Sequence, residues 1–382
     1  MILSTVRGLN PVTLLREQLQ IIHCCDAGFD MDDFGALMLA NDSGRLAAVL
    51  TSLYRPDEKK SIVTAFLNVY QKSPLAIRSV ESRINQLIPS IFAGEGYYPD
   101  STVSPEENKD RFLSLYPRWP TAIFGDPSVS FQDPTYQCIY PYQAKPFIDN
   151  GILLDTLSGH SELENFIAFL DELKNPVIYV STGPTTNLAR LLRQRPNLIK
   201  TKIKTIVMMN GTFANPPRMG YNGGLNLQDT KTVFDSGIPC LIVPSALCAN
   251  YVFPKELVDQ MTAQKEGLST FGKLFHDIML SWETHRARKK NPNIDPTKLT
   301  LASPILADPL TMLLALHPEL IGSTRNVNYT FDLTSADKHL LHKEAATLTN
   351  VEEEPGSNVF EVTSIVSPEE ALNILIKKLN VQ

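Results

Sequence analysis

Four aspartates fall within eight residues near the start of the chain: Asp26, Asp30, Asp32 and Asp33, in residues 20–37, QIIHCCDAGFDMDDFGAL. Carboxylates this close repel each other strongly unless something cationic sits among them. Hard divalent cations such as Ca²⁺ and Mg²⁺ take oxygen ligands from loops of this kind, so the first chemistry to expect is metal binding. The arrangement needs a scaffold that brings the four to one place. The apolar run at 21–25 reads as a buried strand. The chain then turns at Asp26 and Gly28 and enters a helix carrying Asp30, Asp32 and Asp33.

The rest of the chain supplies that scaffold. Residues 46–53 (LAAVLTSL) read as a strand, 59–70 as a helix and 74–80 (PLAIRSV) as a third strand. After a helix at 162–173 come strands at 177–181 (VIYVS), 203–209 (IKTIVMM) and 240–244 (CLIVP), with helices at 187–193 and near 229–235. Strands apolar on both faces and alternating with helices predict an α/β fold, a mostly parallel central sheet covered on both sides. Ligands in such sheets bind at the carboxyl ends of strands, where Asp26 is placed. Further helices are expected at 254–264, 268–288 and 307–316. At the C-terminal end, 327–333 and 360–366 predict a small antiparallel ribbon, and the Ser cap, Pro and first-turn glutamates of 367–379 predict a closing helix. The pattern breaks between about 93 and 151, a Pro-, Tyr- and Ser-rich stretch whose aromatics favour an ordered insertion or lid. No other boundary divides the chain, so one domain of 382 residues with this insertion is expected.

Composition removes several classes. A net charge of −6 argues against a general nucleic-acid binder. The basic run at 285–290 (HRARKK) follows a helical pattern and reads as a solvated helix C-terminus. No run approaches the roughly 20 apolar residues of a membrane span, and the N-terminus lacks a secretory pattern. Five cysteines, an odd number with no zinc spacing, predict reduced buried thiols and a cytoplasmic setting.

With these residues in view, the chain resembles the nucleoside hydrolases of the inosine-uridine-preferring type. Their signature is a strand ending D-x-D-P-G-x-D-D. Residues 24–33 look like a variant with two extra residues before the final Asp pair. Four further segments agree in order: 177–189 (VIYVSTGPTTNLA), 206–211 (IVMMNG), 226–244 (NLQDTKTVFDSGIPCLIVP) and 307–318 (ADPLTMLLALHP). Five ordered segments are far more specific than one motif.

The resemblance implies a Ca²⁺ site made by Asp26, Asp33, Asp308 and the main-chain carbonyl of Thr182. It implies Asp32 as the general base acting on a water at the ion, and Met209 and Asn226 as ribose contacts. The expected substrate is a small-molecule N-riboside of purine or pyrimidine metabolism. The expected reaction is hydrolysis of its N-glycosidic bond through an oxocarbenium-like transition state. Family members are commonly dimers or tetramers, so a homo-oligomer is expected. Simpler readings stand beside these roles. Asp30 reads as a turn or N-cap residue, Asp308 before Pro309 as an N-cap, Asn226 as an Asx-turn and Met209 as core.

The chain also departs from the family. The signature's first Asp is Cys24, the loop Gly-Asn after the second strand is Arg55-Pro56, the Glu of the A-E-F-N segment is Gly224, and the His before the metal Asp is Ala307. The half of the site that holds metal and water is thus retained, whereas the half that reads sugar and base is altered. Either a non-standard N-riboside is cleaved, with leaving-group help from Tyr221, Trp282 or His285, or a glycosyl ligand is bound without turnover. A rival reading takes Asp30-Met31-Asp32 and Ser181-Thr182 as motifs of a haloacid-dehalogenase-type phosphatase, which needs its nucleophilic Asp directly at a strand end.

Overall fold

The computed structural model describes residues 10–27, 31–54, 56–72, 89–97, 103–115, 140–152, 160–213, 217, 219–291, 294–331, 348–352 and 357–379. Ten strands are defined among them. These are β1 (Ile21–Cys25), β2 (Leu46–Tyr54), β3 (Ser90–Tyr97), β4 (Val177–Ser181), β5 (Ile203–Asn210), β6 (Cys240–Pro244), β7 (Ile321–Asn326), β8 (Asn328–Phe331), β9 (Leu348–Glu352) and β10 (Val359–Ile365). Eight of them form one sheet in the order β3-β2-β1-β4-β5-β6-β10-β7. All neighbours run parallel except β10 and β7. Every residue of β1, β4 and β6 is buried, because helices cover both faces, and this is why they read as unbroken apolar runs. Successive side chains enter opposite cores: Ile21 and Cys25 pack on one face of the sheet, Ile22 and Cys24 on the other.

The chain leaves β1 toward β2 on one side and resumes at β4 on the other, so the order reverses between β1 and β4. Crevices at such reversals, at the carboxyl ends of the strands, are where ligands bind in open α/β sheets. Asp26 follows β1 and Thr182 follows β4, one on each side of that crevice.

The expected strand at 74–80 lies outside the described residues, and the expected C-terminal ribbon is present with different partners. The strand paired with β2 is Ser90–Tyr97, overlapping the start of the expected insertion. Gly94 disguises this strand. A Cβ there would stand 2.3 Å from the Thr51 carbonyl and 2.5 Å from Asn187 Oδ1, so close backbone approach selects glycine in mid-strand. At the C-terminal end, β10 pairs antiparallel with Ile321–Asn326 inside the main sheet, and the two-stranded ribbon is β8 with β9. Ile321–Asn326 is an edge strand with one buried residue, too polar to stand out in sequence. Within the insertion, helices Pro105–Leu115 and Tyr140–Asp149 are described.

Candidate active site

The crevice is closed by short contacts between the ends of β1 and β4. The Thr182 N–H donates to the Cys24 carbonyl at 2.8 Å and the Gly183 N–H to the same oxygen at 3.3 Å. Gly183 has no room for a side chain: a Cβ would lie 2.7 Å from Ser52 Oγ and 2.9 Å from the Asp26 nitrogen. Ser52 in turn donates to the Cys25 carbonyl at 3.1 Å, tying β2 to the same turn. Asp26 and Thr182 are both buried there.

The other carboxylates arrive on helix N-termini. Asp32 and Asp33 open the helix Asp32–Asp42, and Asp308 lies in the first turn of the helix Ala307–Leu316. Each helix start presents unpaired N–H groups and a positive dipole end, which favours carboxylates. The two helices pack against each other through Gly35, whose Cβ would meet Pro309 Cγ at 2.9 Å. The Asp308 N–H donates to Asp32 Oδ2 at 3.3 Å, so one helix start is capped by the other's carboxylate. Among the described residues, Asp32, Asp33 and Asp308 each offer an oxygen within 4.8 Å of the others, and all three are buried. Such an all-oxygen, all-carboxylate set suits a hard metal ion, and this Asp-rich site can hold one. Asp26, at the end of β1, is outside that group of three, whereas Asp32 belongs to it.

Thr182 links the groups. Its hydroxyl donates to Asp33 Oδ1 at 3.5 Å and lies 2.9 Å from His23 Nε2. Burial pushes the His23 imidazole down to about 3, so it is neutral, and an Nε2–H donating to Thr182 leaves the threonine proton for Asp33. The Thr182 carbonyl accepts from Asn222 Nδ2 at 2.6 Å.

Neutral groups form the opposite wall. Asn222 lies in the short helix Tyr221–Gly224, and its Nδ2 is also 3.4 Å from the Met209 carbonyl and 3.8 Å from its sulfur. Met209 is half-buried at the end of β5. Asn210 Oδ1 accepts from the N–H groups of Gly211 and Gly220, at 2.9 and 3.1 Å, which folds the loop back onto its strand. Asn226 caps the helix Leu227–Phe234, accepting from the Asp229 N–H at 3.1 Å, and donates to the Leu115 carbonyl at 3.0 Å. The insertion therefore reaches this wall. Gly224 leaves space, a Cβ there meeting only Met219 Cγ at 4.0 Å. Trp282 and His285 stack in the helix Thr270–Lys290 with ring centroids 5.8 Å apart.

At the altered signature position, Asn187 Nδ2 donates to Cys24 Sγ at 3.3 Å and to the Thr51 carbonyl at 3.0 Å, while its Oδ1 accepts from the Glu95 N–H at 2.5 Å. One buried amide thus fastens β1, β2 and β3. The four described cysteines are buried, and burial pushes their thiols up, Cys248 to about 12; Cys138 lies outside the described residues. Asp30 and Arg55 also lie outside them. His23, Asn187 and Asn222 escaped sequence reasoning, since a lone polar residue in an apolar run or a Gly/Asn-rich loop carries no periodic signal. In the phosphatase reading the nucleophile is Asp30, which comes five residues after the end of β1 in sequence and lies outside the described residues, while Asp32 lies in a helix's first turn.

Comparisons with known proteins show the family and the fold. A family model described as inosine-uridine preferring nucleoside hydrolase matches residues 117–367, a span that includes Thr182, Met209, Asn226 and Asp308 and begins after β1. The pyrimidine-specific ribonucleoside hydrolase RihA of Escherichia coli O1:K1 is 28% identical over 52% of this chain and 68% of its own length. Among solved structures, an inosine-guanosine nucleoside hydrolase superposes with a TM-score of 0.61 at 16% identity, covering 95% of this chain and 100% of that one. The type III effector protein XopQ, complexed with adenosine diphosphate ribose, does so with a TM-score of 0.55 at 15% identity over 98% and 99%. At these identities the superpositions speak for the fold.

Proposed function

Because this chain belongs to the inosine-uridine preferring nucleoside hydrolase family, we propose that it hydrolyses the N-glycosidic bond of a ribonucleoside or related N-riboside in a Ca²⁺-dependent reaction with Asp32 as general base. The observation that carries this reading is the convergence of Asp32, Asp33 and Asp308 from two helix starts onto one buried spot. Asp33, Asp308, Asp26 and the Thr182 carbonyl would hold the ion, an oxygen-only set of the kind calcium takes. When bound, the ion supplies positive charge that polarises a water and steadies the sugar's hydroxyls.

The protein's own groups supply the remainder. The Asp308 N–H fixes one oxygen of Asp32, which orients the carboxylate to take the proton of the attacking water. The Thr182 hydroxyl orients Asp33, and the Asn222 amide aims the Thr182 carbonyl, so the donors are preorganised rather than collected on binding. Burial of all four carboxylates excludes bulk water from the carbon that gains oxocarbenium character. Met209 and Asn226 face the sugar in this reading. With Ala307 in place of the family's histidine, the leaving group either departs without protonation or is helped by Tyr221 or His285 as proton donors or by Trp282 as a hydrogen-bonding or stacking partner.

Gly224 and Ala307 favour a second reading, in which the metal and fold are kept but a glycosyl ligand is bound without turnover. Release of free ribose from a panel of purine, pyrimidine and nicotinamide ribosides separates the two, measured with and without EDTA. The hydrolase reading expects ribose release that EDTA stops and that D32N lowers. Ca²⁺ uptake with no release from any riboside replaces it with the binding reading.

A further inference from the structure

Lys59 has no part in the mechanism above, yet it is bonded to the main chain of Asp26 and feels the charge of Asp26 and Asp33. It lies near the start of the helix Pro56–Gln71, is 2% exposed, and donates through Nζ to the main-chain carbonyl of Asp26 at 2.5 Å. Burial pulls its ammonium toward the neutral form, and the carboxylates that oppose this are, in order, Asp26, Asp33 and Glu58. An ammonium is kept in a protein interior only where negative charge compensates its lost hydration. The first two compensating groups are carboxylates that an ion would also neutralise. One positive charge is therefore tethered by covalent structure beside the place a divalent cation would take.

We propose that Lys59 is a built-in counter-cation of the carboxylate cluster, which holds the site together when no ion is bound and weakens the site's affinity for a divalent ion. The ammonium and the ion share Asp26 and Asp33 and repel each other at short range in a poorly screened interior. Without the ion, the ammonium relieves the mutual repulsion of the carboxylates. With it, part of the ion's attraction is already satisfied. The result is a preformed site whose ion exchanges more readily than the number of carboxylates suggests. This inference rests on the metal-binding reading.

Calorimetric titration with Ca²⁺ alone, on metal-stripped wild type, K59M and K59Q, tests it. Glutamine removes the charge but keeps a donor for the Asp26 carbonyl, whereas methionine removes both. Both variants should bind Ca²⁺ roughly tenfold tighter than wild type or better, as expected when a nearby like charge is removed. Both should melt lower than wild type in EDTA and regain more of their melting temperature on adding Ca²⁺. If K59M does not fold without the ion, K59Q decides. Weaker or unchanged Ca²⁺ binding in the folded variants overturns the inference alone, and identifies Lys59 as a support for the Asp26 backbone. Wild-type protein that takes up no Ca²⁺ overturns the metal reading and this inference with it.

Discussion

The two walls of the crevice are built on opposite principles. One wall is charged and rigid. Asp26, Asp32, Asp33 and Asp308 are buried and start from strand ends or helix N-termini; the Asp308 N–H holds Asp32, the Thr182 hydroxyl meets Asp33, and Gly35 and Gly183 behind them admit no side chain. The other wall is neutral. It is a loop of Asn, Gly and Met residues, folded back by Asn210 and touched by the insertion through Leu115. Charged groups in a dry interior tolerate little displacement, so their supports are tight on every side. Amides and glycines can be exchanged at lower cost, and the departures at Gly224 and Ala307 fall where the two walls would meet a sugar and its base. On the proposed function, the charged wall would set the reaction type and the neutral one would choose the substrate.

Substitutions on the charged wall should have the largest effects. D308A should lose both calcium uptake and ribose release, while its melting temperature in EDTA stays level or rises because a repelling carboxylate is gone. D32N should bind Ca²⁺ yet turn over about 10²–10⁴-fold more slowly, the usual worth of a general base. A D308A protein with unchanged turnover would erase the distinction between the walls.

Packing behind that wall comes next. G183A forces a Cβ against Ser52 Oγ and the Asp26 nitrogen and should cost about 1–3 kcal/mol by chemical denaturation. Because the strain falls on Asp26 and Thr182, calcium affinity should fall with stability. Unchanged affinity would detach Thr182 from the site.

The neutral wall should respond more mildly and mainly in KM. N222A leaves the Thr182 carbonyl without its amide donor and should cost about 1–2 kcal/mol in EDTA, less when Ca²⁺ is present to take that oxygen. N226A removes a helix cap worth about 1 kcal/mol, so a KM increase beyond that loss would mark it as a sugar contact. The smallest effect belongs to G224A. The space at Gly224 should accept a methyl group with a change of about 1 kcal/mol or less, with substrate preference rather than stability as the readout.

The charged wall was also the more legible in sequence. Strands β1, β4 and β6 keep the bounds that their apolar runs indicate, because burial on both faces leaves no polar residue to blur them. The Asp32–Asp33 pair and Asp308 stood out as acidic residues at helix starts, and the fold brings them together. The third strand and the edge strand did not stand out, since Gly94 answers to a tertiary contact and Ile321–Asn326 buries one residue. His23, Lys59, Asn187 and Asn222 were invisible for a related reason. Their partners are a threonine hydroxyl, main-chain carbonyls and a thiol, supplied from residues 24 to 182 by the sheet order rather than by local spacing.

The central claim, that these carboxylates form one metal centre serving N-riboside hydrolysis, is tested most directly by a crystal structure of the protein soaked in Ca²⁺. The account predicts a single ion ligated by Asp26, Asp33, Asp308 and the Thr182 carbonyl, with Asp32 facing a water on that ion. A calcium ion bound elsewhere, or Asp33 and Asp308 contacting no ion at saturating Ca²⁺, would contradict it.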